Sequence, residues 1–141
     1  MDTSSISPAL LIASLIIAST PIMLAAIGEL VVERAGVLNL GVEGMMITGA
    51  ICGFAVSVET GSPTLGVLAS ILGGAALSLI FAILTQFFLA NQVASGLALT
   101  LFGLGFSALI GKGYTGIKPP DLGSPNLGFL TEIPFFGTTL F

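Results

Sequence analysis

Between Glu33 and Met46 the sequence sets two carboxylates (Glu33, Glu43), a guanidinium (Arg34), a carboxamide (Asn39) and three glycines (Gly36, Gly41, Gly44) amid nearly continuous hydrocarbon. A second polar knot, Asn91, Gln92 and Ser95, interrupts a later apolar run. These groups carry charge and exchange hydrogen bonds, which is the chemistry of holding a polar solute rather than of breaking bonds. A charged side chain at the centre of a bilayer costs ~2.5–3.5 kcal/mol on insertion scales, so such groups face protein or a water-filled space. Glycines let the backbone leave a helix and free its amide and carbonyl groups, and a glycine-interrupted hydrophobic segment is the pattern of a transport site. Spacing alone equally allows an ordinary interfacial loop with its charges at the headgroups. Asn91, Gln92 and Ser95 equally suit a helix cap or a tie between two helices.

Other chemistries fall away by count. The chain has no histidine and one cysteine, Cys52, placed in an apolar stretch, so nucleophilic catalysis has no obvious base. The same counts exclude an intrachain disulfide and the usual zinc sites, and Cys52 reads as a small packing residue. Gly103-Leu104-Gly105-Phe106-Ser107-Ala108 fits a loose dinucleotide fingerprint, but it lies in a membrane run with no strand before it. Gly105 to Gly111-Lys112 nearly forms a P-loop. Five residues separate its glycines instead of four, and Gly113 stands where Ser or Thr should bind magnesium. Three bases against seven acids leave no basic footprint for nucleic acid.

The elements that must carry the polar knots are membrane helices. Hydrophobic residues make up 55% of the 141 and charged ones only 7%, against roughly 25% charged in soluble domains. The uncharged run from Thr3 to Gly28 is long enough for one crossing of a ~30 Å hydrocarbon core, and that from Thr60 to Gly111 for two. No base precedes Arg34, so the first run reads as a retained helix rather than a signal peptide. The expected fold is all-α: a polytopic transmembrane helical bundle with a glycine-broken second segment. Helices are predicted over about residues 8–32, 36–58, 64–90 and 93–111, with an extramembrane loop at 112–134. Pro21 should kink the first, and Gly49 with Gly53 gives the second a small-residue face for close packing. Residues 135–141 turn apolar again and read as the start of a further helix, so that 1–141 is one transmembrane domain and a fragment of a longer chain. Glu29 and Glu33 share a helix face, and Arg34 is expected to pair with Glu29, Glu43 or lipid phosphate.

The run Glu33-Arg34-Ala35-Gly36-Val37-Leu38-Asn39-Leu40-Gly41-Val42-Glu43-Gly44-Met45-Met46, followed by Gly49-Ala50, resembles the N-terminal signature of ABC-importer permeases for nucleosides and simple sugars, those served by lipoproteins of the basic-membrane-protein type. Ala90-Asn91-Gln92-Val93-Ala94-Ser95-Gly96-Leu97-Ala98-Leu99-Thr100-Leu101 resembles a second block of that family, and Ile133-Pro134-Phe135-Phe136-Gly137 a shorter third. Ribose and branched-chain amino-acid permeases carry a related glycine-rich segment. The resemblance implies a multi-pass permease subunit of the cytoplasmic (inner) membrane that passes nucleosides or related simple-sugar compounds inward. Its implied partners are a second permease subunit, a cytoplasmic ABC ATPase, an extracytoplasmic substrate-binding lipoprotein and the lipid bilayer. No cofactor is expected in this chain itself, ATP and magnesium belonging to the ATPase. The coupling helix of the family follows the last residue here, which puts residues 112–134 outside and Arg34 and Asn91 inside.

On this basis the residues expected to border the solute's path are Asn39, Gly41, Glu43 and Gly44, with Asn91, Gln92 and Ser95 in second rank. Ribose hydroxyls and base edges suit carboxamide and carboxylate partners. Two other readings stand beside it: a secondary transporter or channel using Glu43 as an ion or proton site, and a structural membrane subunit that only packs against a partner.

Overall fold

The structure, a computed structural model, describes residues 8–121. The expectations for residues 122–141, including most of the extramembrane loop and the start of a further helix, lie outside the described residues. The chain divides into two units, residues 1–27 with 123–141 and residues 28–122. Of the first, the described part is the beginning of helix α1.

Helix α1 spans Pro8–Arg34, α2 Val42–Thr60, α3 Pro63–Ala82 and α4 Gln92–Gly111. A five-residue π-helical turn, Ile83–Phe87, prolongs α3, and a 3-10 turn, Lys112–Tyr114, prolongs α4. Among the described residues four helical stretches, Leu10–Arg34, Val42–Thr60, Pro63–Phe87 and Gln92–Tyr114, are long and apolar enough to cross a membrane. The chain is thus an all-helical, multi-pass membrane protein, and no strand occurs among the described residues.

Local chemistry sets the ends. Pro8 and Pro63 open α1 and α3, where their missing N–H is no loss. The helix α1 continues through Pro21 without interruption. It closes in a Schellman motif: Val37 N–H donates to the Val32 carbonyl (3.2 Å), Gly36 N–H donates to that of Glu33 (2.9 Å), and Gly36 is left-handed at φ +81°. Gly61, at φ +66°, ends α2. The π-helical turn leads to Leu89, a non-glycine residue at φ +48°, before Asn91 caps α4 by accepting from Ala94 N–H at 3.0 Å.

The second helix starts six residues later than the expected 36, at Val42. Residues 36–41 do not join it, because the left-handed Gly36 and the turn built on Asn39 give this backbone other partners than a helical ladder. Instead α2 reaches a length of 19 residues, or about 28 Å, by taking in Glu43 at one end and Glu59 at the other.

Within the unit 28–122, α2 packs against α3 on one side and α4 on another. Lipid gives no hydrophobic drive to helix pairing, so close backbone approach supplies the contact. A Cβ at Gly53 would lie 2.9 Å from the Gly66 carbonyl of α3, and one at Gly49 2.9 Å from that of Ser70. Cys52 lies where a Cβ on Gly73 would come within 2.9 Å of its Sγ, as suits a packing residue. A small core of Met45, Leu77, Phe81 and Leu99, with Val37 against it, sits beside the start of α2. At the opposite end of the helix the Tyr114 hydroxyl donates to Glu59 Oε1 at 3.0 Å, and its ring meets Phe54 edge-on at 6.1 Å. Because that bond is exposed and water replaces it, Tyr114→Phe should leave the melting midpoint in detergent nearly unchanged.

Candidate functional site

The loop from Ala35 to Gly41 is non-helical backbone between two membrane helices, which is tolerated only where protein or water satisfies its polar groups. Side-chain oxygens from three places do so. Gln92 Oε1, in the first turn of α4, accepts from Leu38 N–H at 2.8 Å. Glu29 Oε1, near the end of α1, accepts from Asn39 N–H at 3.1 Å. Asn39 Oδ1 accepts from Gly41 N–H at 2.9 Å, closing an Asx turn immediately before α2. A fourth bond runs the other way, from the Thr100 hydroxyl to the Leu40 carbonyl at 3.0 Å.

Close packing holds the same loop against α4. A Cβ at Gly96 would fall 2.9 Å from both Leu40 N and Gly41 N. Within the first turn of α2, a Cβ at Gly44 would fall 2.5 Å from the Leu99 carbonyl, and one at Gly103 equally close to that of Gly44. Of the three glycines expected to free the backbone, only Gly36 occupies the left-handed region. Gly41 and Gly44 admit α4 instead.

The structure therefore gathers Asn39, Gly41, Gly44 and Gln92 into one cluster, and adds Glu29, Gly96 and Thr100 to it. Asn39 is buried, 6% exposed, and its Nδ2 donates to Met45 Sδ at 3.6 Å. Asn91 lies at the edge as the α4 cap. Glu43 is exposed in the first turn of α2, where its negative charge complements the helix dipole, and Ser95 is half-buried in the first turn of α4. Glu29 engages backbone rather than Arg34, and the ion pair present among the described residues is the exposed Lys118–Asp121 at 3.5 Å. Sequence reasoning made Glu29 a candidate partner of Arg34 and gave Gly96, Thr100 and Gly103 no role in the site. Their spacings of four and three, one small-residue face on α4, were the available signal.

An open hollow of about 320 Å³ lined by Glu33, Gly36, Val37 and Leu38 borders the loop. A second, about 290 Å³, lies away from it between α2, α3 and Pro119–Pro120, with Ser57 and Ser70 among apolar walls.

Residues 11–137 match the family described as branched-chain amino acid transport system / permease component. The chain is 44% identical over 130 residues to TsgC13 of Haloferax volcanii, provisionally named a glucose ABC transporter permease protein, covering 88% of this chain and 39% of that protein. It is 34% identical to the guanosine ABC transporter permease protein NupQ of Bacillus subtilis, covering 100% of this chain and 47% of the relative. To the nucleoside ABC transporter permease protein NupC of Lactococcus lactis it is 29% identical, covering 94% and 45%. The chain thus spans less than half the length of each of these relatives. No solved structure matches it.

Proposed function

Since this chain belongs to the family of branched-chain amino acid transport system / permease components, we propose that it forms part of the membrane subunit of an ABC importer carrying nucleosides or related simple-sugar compounds across the cytoplasmic membrane. The observation that carries the reading is the family match over residues 11–137, reinforced by guanosine, nucleoside and sugar permeases among its relatives. The chain is non-catalytic in this reading. ATP and magnesium act on a separate cytoplasmic ATPase, a second permease subunit completes the path, and an extracytoplasmic lipoprotein delivers the solute.

The loop 35–41 and the turn before α4 belong to the cytoplasmic end, and Glu59 with Tyr114 to the outer end. Hydrogen bonds from Leu38 to Gln92 and from Tyr114 to Glu59 tie the elements at each end, in keeping with this. Glu43 and Ser95 offer polar atoms toward the path, while Asn39, Gln92 and Asn91 build the wall behind them with Gly41 and Gly44.

The complete transporter in proteoliposomes tests this directly. Uptake of a labelled nucleoside or pentose should require ATP on the ATPase side and survive collapse of the proton and sodium gradients. Uptake that persists without ATP and stops with the gradient would instead make Glu43 an ion site of a secondary transporter.

A further inference from the structure

The geometry points to Glu29 and Gln92 as positioning residues of the permease, two tethers that hold the 35–41 loop between α1 and α4 and so govern the turnover of transport rather than the grip on solute. The inference rests on the importer reading above and adds to it an assignment for two side chains outside any solute contact.

Each tether uses its oxygen on the backbone. Gln92 Oε1 lies 2.8 Å from Leu38 N, and only the carbonyl end of a carboxamide can accept that N–H. Glu29 Oε1 lies 3.1 Å from Asn39 N, so adjacent residues of one loop are held by side chains of two different helices, 54 and 10 positions away in sequence. The N–H that the carboxylate holds, that of Asn39, stands three residues before Val42, where α2 begins. Beneath the tethers the loop cannot slide freely, because Gly96 admits the Leu40–Gly41 backbone with no space for a side chain. Beyond them it continues into α2, the helix against which both α3 and α4 pack.

The loop is therefore a joint. Any shift of the last turns of α1, residues 28–34, against α4 stretches one tether or carries the start of α2 with it. Transporters work by moving helices or bundles against one another around a fixed site, so a joint of this kind shows in the rate of that movement. A solute contact would show in affinity.

The test uses the complete transporter, scored per assembled complex that retains its ATPase. Glu29→Ala and Gln92→Leu each delete one acceptor, whereas Glu29→Gln and Gln92→Glu keep an oxygen in place. Expected is a fall of about tenfold or more in kcat for either deletion with KM within twofold, and recovery of at least half the turnover in each acceptor-retaining variant. The double deletion should be little worse than the worse single one, since both act through the same loop. Where one deletion does not assemble, the contrast at the other position decides. Three results would overturn the assignment: a KM that rises while kcat holds, acceptor-retaining variants as slow as the deletions, or single effects that multiply in the double variant. Wild-type complex that moves no nucleoside or sugar with ATP would instead defeat the importer reading.

Discussion

Gly44→Leu is expected to destabilise the fold toward or beyond the upper end of the ~1–3 kcal/mol typical of overpacked cores. A Cβ at Gly44 stands 2.5 Å from the Leu99 carbonyl and 2.7 Å from Thr100 Cα. Both neighbours are α4 backbone, which cannot rotate aside as a side chain does. Relief requires α2 to move off α4, and that would also draw Gly41 from Gly96 and stretch the bond from Thr100 to Leu40. Gly105 is the control within α4: nothing lies within 4 Å of its added Cβ. There alanine should be neutral or raise stability, by up to the ~0.8–1 kcal/mol that separates glycine from alanine in a helix. The fraction of monodisperse protein after heating in detergent separates the two. Equal behaviour of Gly44→Leu and Gly105→Ala would mean that α2 and α4 do not touch here.

The second large effect belongs to Asn39. Its Oδ1 is the acceptor for Gly41 N–H, and the residue is 6% exposed. Asn39→Ala leaves a buried donor unpaired, at a cost of about 1–3 kcal/mol. Asn39→Ser supplies a shorter acceptor that serves turns more weakly, so stability should fall in the order asparagine, serine, alanine. KM for solute should not change in assembled transporter, because the carboxamide faces the turn and Met45. A raised KM at unchanged stability would place Asn39 on the solute instead.

That contrast marks how far the sequence could be read. Uncharged runs bounded by Glu29, Glu59 and Lys112 made the spans legible, since only helices satisfy backbone groups in lipid within one segment. Asn91 carried the mark of a cap, whereas Gly36, expected to open the second helix, closes the first. The start of α2 was not legible. Val37, Leu38 and Leu40, with the single polar Asn39 among them, read as helix, while the groups that pull this backbone away, Glu29 and Gln92, sit on other helices. The glycines were recognised, but their roles divide in a way only neighbours reveal. Gly36 uses its positive φ, whereas Gly44 uses its lack of a side chain against an α4 backbone far along the chain.

We propose that the glycine-rich junction of α1 and α2, with the first turn of α4, borders the route of the solute. Among the described residues the side chains of Glu43 and Ser95 make no hydrogen bond, as is also true of Glu33 and Arg34 at the end of α1. In complete transporter bearing Cys52→Ala, Glu43→Cys and Ser95→Cys should react with a small hydrophilic thiol reagent, and saturating nucleoside or sugar should slow the reaction severalfold. Both positions unreactive, or labelled at a rate indifferent to every solute that the transporter carries, would contradict the account.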